Sequence, residues 1–171
     1  YATNLEDLDL EDNIYLDDKE LLNHALTAEE AMLNNKGVTN SEGSTRSFSK
    51  NTFSIVNSRD FHASYSKTYH SISAIAIAGS DTNMQRDYEY SAAIHSEDLL
   101  SAMKVGSLAA KRATSRLNSK KIKSCSIDVI FEPRVARSIL SSFCSCASGS
   151  SIARGTSFLN NKLNSLIFKN N

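Results

Sequence analysis

The first regular pattern in the chain is helical and follows an acidic segment. From Asp17 or Asp18 onward apolar residues recur at steps of three and four positions, with acidic residues in the first turn and Gly37 after the last periodic residue. We predict an amphipathic helix with apolar positions at Leu21, Leu22, Ala25, Leu26, Ala28, Ala31, Met32 and Leu33. Residues 1–18 lack this period, so we interpret them as a connector.

Between Val38 and Ile94 the hydrophobic period falls to two, which is typical of β-strands. Turn-forming residues interrupt the alternation at 49–51, 57–60 and 79–83. We predict an antiparallel meander of four or five strands, because intervals of about ten residues suit hairpins and not crossover helices.

A second long helix is predicted after the strands, with Ser96 as its N-cap and its end near Asn118. A short apolar strand at 126–131 follows. Another helix begins at Pro133, because proline is tolerated in the first turn of a helix. The predicted fold class is α+β, with an antiparallel meander flanked by long amphipathic helices and followed by a further strand and helix.

Composition excludes several classes of protein. The 171 residues are 40% hydrophobic and 22% charged, and no apolar run approaches the roughly 20 residues that cross a bilayer. Three cysteines cannot all pair within one chain, and no secretory leader opens the sequence, so we expect a reducing cytoplasm. Because Tyr1 and not Met stands first, we interpret the chain as a piece of a longer protein.

Charge is unevenly distributed although the formal net charge is zero. Residues 1–100 contain 17 acidic and 7 basic side chains, whereas residues 101–171 contain 2 acidic and 12 basic ones. A nucleic-acid surface is one interpretation, but few aromatic residues stand among the basic ones to stack on bases. We favour the alternative that the two parts face each other or face missing partners.

No spacing of reactive residues singles out an active site. Cys144 and Cys146 are separated by one residue, whereas zinc knuckles use two, and no second ligand pair follows them. The histidines lack the i, i+4 pairing of a helical zinc enzyme. We interpret each of them as a surface or packing residue: His24, His62, His70 and His95.

The order of four motifs is more informative than any one of them. Asn40–Gly43 opens the Ser-rich meander, Arg86–Tyr88 follows within it, and longer stretches occupy 129–137 and 149–159. In that order they resemble the middle of the TldD/PmbA family, and most closely its PmbA branch, also called TldE. The family motif positions are Asn40, Ser41, Glu42, Gly43, Arg86, Tyr88, Arg154, Gly155, Thr156 and Ser157.

The resemblance implies a cytoplasmic bacterial or archaeal protein in which TldD-type and PmbA-type subunits together degrade unfolded peptides and remove leader peptides. In the TldD branch a helix carries His-Glu-x-x-x-His, whose histidines bind zinc and whose glutamate can act as general base. The matching positions here are Ser141, Ser142 and Cys146, and a hydroxyl is a poor zinc ligand. We therefore expect no catalytic residue, metal or cofactor in this chain, and zinc only in a TldD-type partner.

The resemblance also implies that the chain is truncated. Residues 1–119 would be the rear of an N-terminal α+β domain, and residues 120–171 the opening segment of a C-terminal metallopeptidase-like domain. We expect a non-catalytic subunit that pairs with a TldD-type subunit or with itself and makes no membrane contact, in an assembly whose substrates are unfolded or leader peptides. Two alternatives stay open: a DNA-gyrase-associated or nucleic-acid-binding protein, after the family's older label modulator of DNA gyrase, and a non-functional product of a split gene.

Overall fold

A computed structural model of the chain describes residues 6–167. The chain divides into two compact units, Tyr1–Lys121 and Ile122–Asn171. The first unit packs two long helices on a three-stranded antiparallel sheet, and the second contains helices joined by loops. The fold class is α+β, as predicted.

Helix α1 spans Asp18–Leu33 and confirms the first predicted helix. It begins with a capping box, in which the Glu20 N–H donates to Asp17 Oδ1 at 2.8 Å and the Asp17 N–H donates to Glu20 Oε2 at 2.9 Å. Only part of its apolar pattern faces the core, because Ala28 and Met32 are fully buried while Leu26 is half exposed.

Three strands form one sheet in the order β1-β2-β3, with bounds β1 Val38–Val56, β2 His62–Ala78 and β3 Gln85–Ala93. The antiparallel meander is confirmed, but the predicted number of four or five strands is wrong. The predicted turn at 49–51 lies within β1, where its three residues pair with Tyr69, Thr68 and Lys67 of β2. This stem is largely exposed, so polar residues there do not interrupt the strand.

The second helix begins later than the sequence predicts. Ser96–Asp98 forms a 3-10 turn, and α2 spans Ala102–Ser115 with Ser101 as its N-cap. Ser96 is therefore not the N-cap. The difference arises because Leu99 continues in an extended conformation and packs against the core before the helix starts.

The core of the first unit consists mainly of small side chains between the sheet and the helices. Its fully buried apolar residues are Ala28, Met32, Ala74, Ala76, Ala78, Val105, Ala109, Ala110 and Ala113. Small residues let α1 and α2 approach closely, and a Cβ added at Gly106 would lie 2.0 Å from the Ala28 carbonyl oxygen. The two helices therefore meet backbone to backbone at this point.

The second unit contains α3, Pro133–Ala147, and α4, Gly149–Ala153. Helix α3 is confirmed at its predicted start, whereas the predicted strand at 126–131 is wrong. That segment has no regular secondary structure, and Ile130 is 98% exposed. A strand needs a neighbour to satisfy its backbone groups, and between residues 122 and 167 this unit forms no strand that could pair with it.

Candidate functional site

The Asn40–Gly43 motif forms a β-bulge in β1. The pairing with β2 shifts between Ser41 and Gly43, which leaves Glu42 as the extra residue. Gly43 has a φ of 104°, which side chains with a Cβ rarely adopt, and its N–H donates to Ser41 Oγ at 2.7 Å. The motif therefore sets the direction in which Glu42 leaves the strand.

Arg86 forms an ion pair with Glu42, the extra residue of the bulge. Its Nε donates to Glu42 Oε2 at 2.7 Å, across the central strand β2. Asn40 and Arg86 both pair with Ile77, so the sheet register brings two of the four motifs together. Both charged side chains are about half exposed, which limits the pair to about 1 kcal/mol of stabilisation. Its main effect is to orient two charges on the sheet.

Tyr88 lies on the same face of β3 as Arg86, the face opposite the helices. Alternation along β3 buries Asp87 and Glu89 toward the helices and places Tyr88 and Tyr90 on the other side. The two tyrosine rings stack with centroids 6.3 Å apart, and they are 38% and 42% exposed. The motif positions of the first unit thus form a half-exposed surface of aromatic and paired charged groups.

The Arg154–Ser157 motif ends α4 in the second unit. Gly155 has a φ of 68° and its N–H donates to the Ile152 carbonyl at 2.9 Å, as at many helix C-termini. Ser157 Oγ donates to the Cys146 carbonyl at 2.6 Å and so joins this turn to the end of α3. Gly155 and Ser157 therefore have local structural roles, while Arg154 is exposed.

The positions that the sequence resemblance assigns to the TldD zinc motif lie on α3. Ser141 and Ser142 are exposed, and Ser142 Oγ donates to the Ser138 carbonyl at 2.9 Å. Cys146 is a half-buried free thiol. Two hydroxyls and one thiol do not fit a zinc site, which in proteins is built from histidine, thiolate and carboxylate ligands. Across residues 6–167, no three His, Cys, Asp or Glu side chains converge on a point where a metal ion could bind.

The structure also contains a buried charged cluster that sequence reasoning missed. Asp12, Arg46 and His70 are 6%, 7% and 0% exposed, although they come from the predicted connector, from β1 and from β2. Asp12 Oδ2 lies 3.0 Å from His70 Nε2, and Arg46 Nη2 lies 3.3 Å from His70 Nδ1. The imidazole ring therefore lies between a buried carboxylate and a buried guanidinium.

Backbone groups form further hydrogen bonds with the charged side chains of this cluster. The Ser96 N–H donates to Asp12 Oδ2 at 2.7 Å, and Arg46 Nη1 donates to the carbonyls of Ser47 and Ser71 at 2.8 and 3.2 Å. The Ser96 hydrogen bond is the main reason why the pKa of Asp12 lies below its ordinary value. Each buried charge is thus held by several hydrogen bonds.

The interpretation of the histidines as surface or packing residues does not hold for His70. His62 is exposed and His24 is half buried, but His70 lies on the core face of β2 between charged partners, so it is neither a surface residue nor an ordinary packing residue. Burial is the main cause that lowers its pKa, and Arg46 adds to the effect. The alternation of His70 with Ile72 and Ala74 could have indicated a buried histidine, but nothing local pointed to Asp12.

No helix among residues 6–167 combines the length and the apolar character needed to cross a bilayer.

Both units match one family of metallopeptidases. The family described as PmbA/TldA metallopeptidase central domain matches residues 5–117, and the one described as PmbA/TldA metallopeptidase C-terminal domain matches residues 124–171. The first match alone covers most of the chain. The chain therefore belongs to the PmbA/TldD family.

Relatives in several bacteria agree with this assignment. A metalloprotease PmbA homolog of Buchnera aphidicola subsp. Baizongia pistaciae is 35% identical over 97% of this chain and 37% of its own length. The metalloprotease PmbA of Escherichia coli O157:H7 is 31% identical over 92% of this chain and 35% of its own length. The chain thus spans little more than a third of these relatives.

Solved structures confirm the fold. A Bacteroides thetaiotaomicron protein described as a candidate modulator of DNA gyrase superposes with a TM-score of 0.85 and 26% identity, over 96% of this chain and 38% of that one. A Thermotoga maritima protein with a similar description superposes with a TM-score of 0.66 and 23% identity, over 72% of this chain and 29% of that one. The second likeness concerns the fold alone.

Proposed function

We propose that the chain is part of a PmbA/TldE-like subunit in a cytoplasmic TldD/PmbA-type metallopeptidase assembly, and that it supplies no zinc ligand itself. The observation that carries this proposal is the donor set Ser141, Ser142 and Cys146 in a chain that belongs to the family. A serine hydroxyl is neither a strong zinc ligand nor a carboxylate base, so this helix cannot polarise a metal-bound water.

The proposed substrates of the assembly are unfolded peptides and leader peptides, and the proposed partner is a TldD-type subunit or a second copy. The arrangement on the sheet supports a role in positioning. The Glu42 carboxylate accepts a hydrogen bond from Arg86 Nε at 2.7 Å, so the two side chains hold each other in place on the sheet. Zinc and the general base would both come from the partner.

Co-expression with a TldD-type subunit tests the proposal. We expect the purified chain alone to contain no stoichiometric zinc and to cleave no unfolded peptide, and we expect cleavage when the partner is present. The Cys146→Ser variant should leave that cleavage unchanged, because Cys146 holds no metal. About one equivalent of zinc per chain that survives replacement of Cys144 and Cys146 would contradict the proposal.

A second candidate function is association with DNA or with DNA gyrase. The excess of basic residues in 101–171 favours it, as does the description of the Bacteroides thetaiotaomicron neighbour as a candidate modulator of DNA gyrase. Binding of this kind releases counterions, so the affinity should fall steeply with salt. A DNA affinity that stays constant between low and moderate salt would argue against it.

A further inference from the structure

The segment that contains Asp12 is held on the sheet by a few isolated contacts. We call residues 9–15 the strap; they form no helix or strand. The Thr68 N–H donates to the Leu10 carbonyl at 3.0 Å, and the Asp12 N–H donates to Thr68 Oγ1 at 2.8 Å. The pairing of β2 with β3 ends at His70, so the strap occupies the edge of β2 that β3 leaves open.

The arginine fixes the protonation state of the histidine. Arg46 can only donate, so His70 Nδ1 must accept, and the single ring proton of the neutral form lies on Nε2. Nε2 lies 3.0 Å from Asp12 Oδ2 without the geometry of a hydrogen bond. A second proton would have to bind Nδ1, where it would meet the guanidinium 3.3 Å away in a site that is 0% exposed. Protonation therefore breaks the Arg46–His70 hydrogen bond and buries two cations together.

Other charged groups of the strap and its surroundings also affect how readily His70 takes up a proton. Asp12 attracts the imidazolium, whereas burial, Arg46 and His95 oppose it, and the pKa of His70 lies below its ordinary value as a result. His95 Nε2 lies 3.1 Å from the Asp9 carbonyl oxygen, and this contact is the main reason why the pKa of His95 is raised. Glu11 pairs with Lys50 at the exposed side. As pH falls, His95 becomes cationic before His70 does.

We propose that the Asp12–His70–Arg46 cluster is a proton-operated latch, which releases the strap from the sheet when His70 takes up a proton. Asp12 attracts the imidazolium, but Arg46 and His70 belong to paired strands and cannot separate without breaking the sheet, whereas the strap has no ladder of its own and is the part that can move. Release gives the imidazolium access to water and leaves the Thr68 edge of β2 without its strap partners. This inference does not depend on the proposed function.

Hydrogen exchange of the full 171-residue chain tests the latch. Amide exchange of strap residues 10–14 is measured from about pH 8 to about pH 5, a range that spans the ordinary histidine pKa and stays above that of carboxylates. Each rate is divided by that of the same unfolded peptide, which removes the intrinsic pH dependence. We expect protection of the strap to fall at least about tenfold, while α1 and α2 stay protected.

Nuclear magnetic resonance of the His70 ring, measured on the same wild-type chain, keeps the test independent of any variant. Proton uptake by His70 and loss of strap protection should follow the same pH dependence. Strap opening while His70 stays neutral would overturn the proposal. A protonated His70 under a still-protected strap, or no change in either signal across the range, would overturn it equally.

Substitutions then separate the histidines. In His70→Gln the amide oxygen can accept from Arg46 and the amide nitrogen can donate toward Asp12, but the group does not titrate, so the strap should stay closed throughout. His62→Gln, at an exposed position at the start of β2, is the matched control and should behave like the wild type. The proposal would be wrong if strap protection in His70→Gln still fell with pH as in the wild type. It would also be wrong if only His95→Gln abolished that fall, because another group would then control the strap.

Discussion

Helices α2 and α3 have similar lengths and similar amphipathic patterns, yet only one of them is buried. Helix α2 contributes five buried residues to the core of the first unit, whereas α3 contributes none. The apolar positions of α3 remain 42–62% exposed at Val135, Ile139 and Leu140. Amphipathic spacing therefore forms a helix in both units, but burial also requires a sheet or a second helix at the right distance.

The two units also differ in what their glycines do. Gly106 stands where α1 and α2 touch, and an added Cβ would lie 2.0 Å from a backbone oxygen. Gly149 begins α4, and an added Cβ would meet nothing within 4 Å. Added volume is therefore excluded at Gly106 and accommodated at Gly149.

The largest effect is expected for Gly106→Ala. The new methyl group cannot avoid the Ala28 carbonyl, so α1 and α2 must move apart and loosen the small-residue core. We expect a loss of about 3 kcal/mol or more in the free energy of unfolding, measured by urea titration of the full chain. The matched variant Gly149→Ala should change it by less than about 1 kcal/mol, and in the stabilising direction. Equal losses in both variants would remove the distinction between the units.

A second pair compares valines. Val105→Ala removes two methyl groups from a position that is 0% exposed and should cost about 2 kcal/mol in the free energy of unfolding. Val135→Ala removes the same atoms from a position that is 42% exposed in α3 and should cost less than about 0.5 kcal/mol. A cost of about 2 kcal/mol at Val135 as well would show that α3 is buried in solution.

A third prediction concerns pH and the buried cluster of the first unit. The folded-state pKa of His70 lies below the ordinary 6.5, so the unfolded chain binds the proton more readily. The stability that neutral His70 contributes is present above about pH 6.5 and decreases as pH falls toward the folded-state pKa. The lowered pKa of Asp12 adds a similar loss below its ordinary 3.8.

His95 acts in the opposite direction. Its raised pKa contributes stability below about 6.5 that disappears as pH rises through the folded-state value. Urea titrations between about pH 8 and about pH 5 should therefore show a steeper acid-side loss in His95→Gln than in the wild type. A flatter profile in His70→Gln is expected under the same conditions. Identical profiles for all three chains would show that neither histidine is linked to folding.

Local signals predicted the elements that depend on local chemistry. The acidic first turn of α1, Pro133 at the start of α3 and the period of two along β2 each produced the expected structure. The predicted strand at 126–131 failed because its apolar run has no neighbouring strand in its unit. A polar stretch at 49–51 looked like a turn because both faces of an exposed hairpin stem can be polar.

The site could be predicted only in part. The sequence singled out Glu42, Gly43 and Arg86, but only the register of the sheet shows why they belong together. Asp12 could not be found at all, because 58 residues separate it from His70 and its segment has no period. Pairing of polar groups that are distant in the chain produces no pattern in the local sequence, whereas burial of an apolar face produces a periodic one.

A smaller effect than at Gly106 or Val105 is expected for Arg86→Ala. Glu42 and Arg86 are about half exposed, so their pair should contribute less than about 1 kcal/mol to the free energy of unfolding, and less still at high salt. Gly43→Ala at the same bulge should cost more, because φ stays at 104° while a Cβ is added. Urea titrations at low and high salt should give a salt-dependent loss for Arg86→Ala and a salt-independent one for Gly43→Ala. The reverse order would mean that charge, and not backbone conformation, maintains the bulge.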